Sequence, residues 1–419
     1  MYALACNTSG INNTSVGSKA LNLNTTGSNN VGVGWTAGYS NTEGYQNAAV
    51  GNLALYNNTT GYNNAGLGYC ALHCVTTGYG NVGVGSCALR GSAAMEGYGN
   101  IGVGYCAGRN LTSSNYSILI GMGTGSQLTT GSNVVAIGGQ SMVSVVDKSG
   151  DVGVGYATLK LNITGGDNTA IGYLSQCKSN ACHNTSVGKM TLYCNTGGAC
   201  NVAIGAETLR CNVTGKGNVG VGYNALRTSS SSCFNTAVGT HAGRVITTGC
   251  YNNALGSCAL YNLTTGVRNA AMGSYALFGN TTGGNNLALG HSSMECNTCG
   301  GNNTAVGYAS LYENLSGNCN VAIGRNALQK STIACYNTAV GNDALRYNTT
   351  GVNTAVGYRA LCSNTTGTYN NAFGCDVLLK NTTGSANVAS GQCSMQQNIA
   401  GSCNVALGYR TLTNATSAC

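Results

Sequence analysis

The sequence predicts an all-β chain wound as a parallel β-solenoid of about 24 coils. Three observations point there. A short motif, Asn303-Thr304-Ala305-Val306-Gly307-Tyr308-Ala309-Ser310-Leu311, returns in stronger and weaker copies along all 419 residues. Its Val-Gly glycine, taken as position zero, recurs 24 times from Gly17 to Gly408; 20 of the 23 intervals are 17 residues, two are 16 and one, Gly85 to Gly104, is 19. Small, aliphatic and Asn residues hold fixed places around it. A period this short marks stacked coils, none of which can fold alone. One continuous repeat domain over residues 1–419 is expected.

Composition narrows the class. Gly supplies 65 residues and Pro none, and Gly has no three-residue period, which excludes collagen. The strict aliphatic period argues against disorder. The net charge of +8 is spread over the whole chain, so no nucleic-acid patch is expected. No apolar run approaches the roughly 18 residues of a membrane span, and membrane insertion is not expected. The start, Met1 to Cys6, lacks the basic and apolar regions of a signal peptide. Leu4 is already in phase with Leu21, so the chain is expected to begin inside a coil.

Each coil reads as two short strands. Minus one is aliphatic or Phe in 23 of 24 coils, minus two is Ala, Gly or Ser in 23, and minus four is Asn in 21. This alternation is strand patterning. It predicts minus one and minus three pointing inward and the small minus-two residue pointing outward. After the glycine, Leu at plus four (Leu21, Leu55, Leu72, Leu159, Leu226, Leu345, Leu412) predicts a second strand. Asn-Thr-Thr-Gly strings then supply a tight corner. Coils about 4.8 Å apart would make a rod on the order of 115 Å long. About three apolar side chains per coil, at roughly 1.5–3 kcal/mol each, barely offset the ordering of the backbone. Support is therefore expected from Asn ladders, cross-links and association.

The 22 Cys fall in neighbouring coils, and stacked Cα atoms lie within disulfide range. Disulfides are predicted for Cys70 with Cys87, Cys177 with Cys194, Cys182 with Cys200, Cys233 with Cys250, Cys319 with Cys335, and Cys403 with Cys419; free buried thiols are the alternative. Disulfides would imply an oxidising, extracellular or surface location. Cys296 and Cys299 form a lone Cys-x-x-Cys with no second pair, so no metal is expected.

Sequons recur at Asn24, Asn58, Asn110, Asn162, Asn212, Asn262, Asn280, Asn348, Asn364 and Asn381. They are glycosylation candidates on exposed corners, and they are equally good corner chemistry. Plus five carries Arg90, Arg109, Lys160, Arg210, Arg227, Arg244 and Arg346, interleaved with Tyr39, Tyr56, Tyr193, Tyr261, Phe278 and Tyr312. This stripe is a candidate surface for glycans or polyanions; a solvated edge or a chain contact is the other reading. The four His lie in separate coils without recurring carboxylate partners, so neither catalysis nor a cofactor is expected.

The Asn-Thr-Ala-Val-Gly-Tyr-x-Ala-Leu unit resembles repeats in the heads of trimeric autotransporter adhesins and in phage and viral tail fibres, over essentially the whole chain. The resemblance implies a left-handed β-roll and assembly of three chains. It also implies that Ala237, Ala305, Ala322, Ala339 and Ala355 face partner chains. The function expected is a structural subunit of an extracellular fibre or filament, homo-oligomeric as a trimer or stacked end to end. Both ends stop in phase without a polar cap, which motivates the stacking. The alternative is a receptor- or glycan-binding module on a virus, phage or cell. Ice binding is a third reading, set back by the interruption of the Thr column at minus three.

Overall fold

The computed structural model describes residues 2–414 and residue 416. The fold is an all-β parallel solenoid with a 17-residue period, and no helix occurs among the described residues. Contacts group the chain into two compact units, Met1–Glu207 and Thr208–Cys419, where the repeat alone predicts a single domain. The first unit carries twelve strands, from β1 (Thr14–Val16) to β12 (Val202–Ile204), and the second carries twelve, from β13 (Val219–Val221) to β24 (Val405–Leu407). Within each unit consecutive strands pair in parallel, column against column. Ala48 faces Ala65, Ala49 faces Gly66 and Val50 faces Leu67. The 19-residue interval keeps this register, with Val82 opposite Ile101. Met95, in that longer coil, bridges to Val75.

Each coil has one strand, not the two expected. The segment after the glycine is a run of turns, because residues at plus two and plus four are left-handed. Leu53 (φ 60) and Leu55 (φ 48) are an example. Such backbone is uncommon for Leu. It holds here because every second N–H reaches a neighbouring coil. Leu53 N–H donates to the Trp35 carbonyl at 3.1 Å, and Leu55 and Asn57 donate to Ala71 and His73 at 3.0 Å each.

The predicted facing of the strand is also reversed. Three-residue strands still alternate, but the small residue at minus two is inside and the aliphatic at minus one is outside. Ala237, Ala305, Ala322, Ala339 and Ala355 are fully buried, so this column faces the coil interior and no partner chain. The reason is volume. Leu at plus four already fills the narrow interior. A Cβ built on Gly32, a minus-two residue, would lie 2.8 Å from Leu21 Cγ.

The exception at minus two supports this account. Leu119 is fully buried there, and plus four is Gly125 in its own coil and Gly108 in the coil before. A Cβ on Gly108 would stand 2.6 Å from Leu119 Cδ1 and 2.7 Å from Leu89 Cδ2. Leucine volume has moved from the plus-four side of the interior to the strand side.

Adjacent residues of β19 (Val321–Ile323) test the facing. Ala322 is fully buried and Ile323 is 39% exposed. Replacing Ala322 with Leu should cost about 1–3 kcal/mol or more through overpacking. Ile323→Lys should leave the unassociated chain within about 0.5 kcal/mol. Thermal unfolding of the two variants reads the difference, and the opposite ranking would restore the outward alanine.

Candidate functional site: columns of stacked side chains

In-register strands put the same side chain of successive coils in line, and two of these lines are buried Asn ladders. At minus four, Asn303 Nδ2 donates to Asn286 Oδ1 at 3.2 Å and to the Gly317 carbonyl at 2.9 Å. Its Oδ1 accepts from the backbone N–H and the Nδ2 of Asn320, at 2.9 and 3.1 Å. At plus seven, Asn314 Nδ2 donates to Asn297 Oδ1 at 2.7 Å and to the same Gly317 carbonyl at 3.0 Å. The two ladders thus meet at the corner glycine. At the equivalent corner of a coil in the first unit, the N–H groups of Thr59, Thr60 and Gly61 converge on the Thr76 carbonyl at 2.9, 3.3 and 3.3 Å.

The plus-seven ladder is where most sequons lie. Asn24, Asn58, Asn162, Asn212, Asn280, Asn348, Asn364 and Asn381 are buried, which corrects their expected placement on exposed corners. Asn58 Nδ2, the atom a glycan would use, donates to Asn41 Oδ1 and to the Gly61 carbonyl inside the coil. Asn110 and Asn262 are half-buried. There Leu111 and Leu263 take plus seven and displace the sequon Asn by one residue.

The described cysteines are all free thiols. Cys70 with Cys87 and Cys233 with Cys250 do share columns. Side chains related by one coil stand about 4.8 Å apart at Cβ as well as at Cα, beyond the roughly 3.5–4.5 Å of a disulfide. Cys250 Sγ instead accepts the Cys233 N–H at 3.2 Å. The pairs Cys177 with Cys194, Cys182 with Cys200 and Cys319 with Cys335 are offset by one residue. Cys335 lies level with Asn318, whose N–H it accepts at 3.2 Å. Cys403 is exposed, and Cys419 lies outside the described residues. Burial pushes the Cys177 and Cys250 thiols up, which lowers their reactivity.

The plus-five stripe is turned largely onto itself. Tyr39, Tyr56 and His73 stack at 5.2 and 5.3 Å. Burial, then Arg90, holds the His73 pKa down. Arg244 lies 5.3 Å over Tyr261, which stacks on Phe278 at 5.2 Å. Lys160 Nζ donates to Gln140 at 2.7 Å and Arg346 Nε to Gln329 at 2.9 Å. Arg90 and Arg109 are exposed; Arg210 and Arg227 are half-buried.

A second aromatic line escaped the sequence reading. Tyr45, Tyr62, Tyr79 and Tyr98 stack at 4.9, 4.8 and 4.7 Å with rings within 3° of parallel. The signal was available as Tyr at minus six in four consecutive coils.

One carboxyl sits inside a ladder. Asp151 takes the minus-four place of an Asn and is fully buried. Its Oδ1 accepts from Asn168 N–H and Nδ2 at 2.9 and 3.2 Å, and its Oδ2 accepts from Asn162 Nδ2 at 3.2 Å. Burial raises its pKa to about 6, although the Asn168 hydrogen bonds pull the other way. No group of three or more His, Cys, Asp or Glu able to hold a metal occurs among the described residues.

Fold and columns together define the class, a parallel β-solenoid repeat protein whose candidate sites are lines of stacked side chains. No protein-family model matches the chain, and no curated protein matches it.

The Asp151 carboxyl sets a pH dependence. Its folded pKa lies above the unfolded value near 3.9, so folding favours the protonated form. The stability this adds is present below about pH 4 and is lost as pH rises through about 6. Asp151→Asn should match wild type near pH 4. At pH 7 it should exceed wild type by roughly 2–3 kcal/mol. Thermal midpoints across pH 4–7 read the difference, and a pH-independent gap between the two proteins would contradict it.

Proposed function

We propose that this chain is a structural subunit of an extracellular fibre or filament, in which repeated length and surface are the function. The observation that carries this reading is the continuity of the ladders. In coil after coil, the same Asn amides and the same backbone groups bind the next coil, as at Asn286, Asn303 and Asn320. A side chain committed in this way is not available for a unique site. Receptor or glycan attachment draws less support, because Lys160, Arg244 and Arg346 of the stripe engage neighbouring side chains. A location outside the cell, or on a virion or cell surface, is supported by the resemblance of the repeat to surface fibres. A fibre subunit is defined by its assembly, and assembly is the property to test.

Electron microscopy of the purified full chain provides that test. The expected result is assemblies larger than one chain, as filaments or bundles, giving a reflection near 4.8 Å when aligned. Isolated single chains at every concentration up to about 100 μM, where even weak association would register, would contradict the proposal.

A further inference from the structure

The strands leave one face uncovered. In the first unit Val50, Leu67 and Val84, at minus one in successive coils, are 37%, 43% and 37% exposed. Val31 and Ile101 at minus three share that face and are exposed as well. None of the 24 coils has a charged residue at minus three or minus one. Parallel sheets ordinarily have both faces covered, and contiguous apolar patches of this kind mark interaction surfaces.

We propose that this outward strand face is where copies of the chain pack side by side, the partner being a second copy of this chain. The inference rests on the structural reading above and gives it a surface. Three properties select the partner. At minus three and minus one the face has no charge to pair, so the partner surface opposite them must be apolar; the one charged residue at plus one in this unit, Lys189, lies at the margin. Its side chains form in-register rows, with Val50 opposite Leu67 and Leu67 opposite Val84. A matching surface must therefore repeat every 4.8 Å or so, which a second copy does by construction. Rows of this kind interdigitate into dry interfaces.

The third property is area. Each unit has twelve strands. At about 4.8 Å between strands and about 13 Å of chain from minus three to plus one, the face covers on the order of 700 Å². A standard stable interface takes about 800 Å² from each partner. One unit is thus nearly enough, and exposed Tyr69 and Tyr105 at plus one enlarge the apolar margin. The small-residue column could not have served, because it lies inside the coil.

The test uses the full chain with Val50→Lys, Leu67→Glu and Val84→Lys together. Alternating signs avoid like charges one coil apart. A control carries Thr60→Lys and Thr77→Glu, at exposed positions off this face. Circular dichroism and thermal unfolding establish that both variants fold. Sedimentation equilibrium then reads association. The proposal expects wild type and control to form dimers or trimers at micromolar concentration, and the triple variant to associate at least 100-fold more weakly. Equal association of wild type and triple variant overturns it. So does a wild type that stays monomeric, or that assembles only into filaments one chain wide. Single-chain-wide filaments would leave the fibre reading standing while this inference falls. Side-by-side oligomers that never grow longer would do the reverse. Wild type held in solution only by detergent or lipid vesicles, and monomeric there, would assign the face to lipid and also overturn it.

Discussion

Through most of the chain the coil interior holds asparagine beside its alanines and leucines, and the buried amides set the terms of stacking. A buried amide without partners costs about 1–3 kcal/mol or more. Each ladder Asn has a donor group and an acceptor to satisfy. Asn303 does so by binding Asn286 on one side, Asn320 on the other, and the corner carbonyl of Gly317 across the coil. No partner but the same residue one coil away offers both halves of that arrangement at a fixed spacing. Register, period and parallel pairing all follow from that requirement. A slip of one residue would strand every amide in the column, whereas an apolar column would lose only some packing.

Where the ladder is interrupted, the interior changes in concert. Around Gly121 and Gly138 the minus-four residues become Ser117 and Val134, and plus seven becomes Leu111, Leu128 and Val145. The amides give way on both sides at once, to Ser117 and then Val134 at minus four and to Leu and Val at plus seven. Leu119 enters from the strand, and Gly108 and Gly125 make room for it. Asp151 marks the return to the Asn ladder and carries a shifted pKa as a result. The opposite boundary leaves a trace too. Asn58 Oδ1 has no partner, because Val75 stands where the next ladder Asn would be. Hydroxyl residues at plus three are grouped in the same way, so that Ser175 meets Thr191 at 2.8 Å and Ser293 meets Ser310 at 3.0 Å.

The period, the parallel stacking and the minus-four ladder were legible in the sequence because each is a statement about spacing. The facing of the strand was not. Alternation separates two faces without saying which is inside, and the larger Val or Ile is the natural choice for a core. Only the volume already taken by Leu at plus four decides for Ala322 over Ile323. The second strand was misread for a related reason. Leu55 has strand-like neighbours, but its φ of 48 belongs to a left-handed turn, and nothing in a Leu announces that. The sequons misled because Asn at plus seven suits both a corner and a buried ladder. The cysteine pairs were judged on Cα spacing, which ignores the parallel direction of stacked Cβ bonds.

The claim that the buried ladders hold the coils in register is tested most directly at Asn303. Its Oδ1 accepts the Asn320 backbone N–H at 2.9 Å. Hydrogen exchange measured residue by residue should show that amide well protected in wild type. In Asn303→Ala the account predicts loss of protection at Asn320 and in the adjoining corner, with about 1–3 kcal/mol of stability gone. Undiminished protection at Asn320 in that variant would show that packing of the leucine column alone sets the register, and would contradict the account.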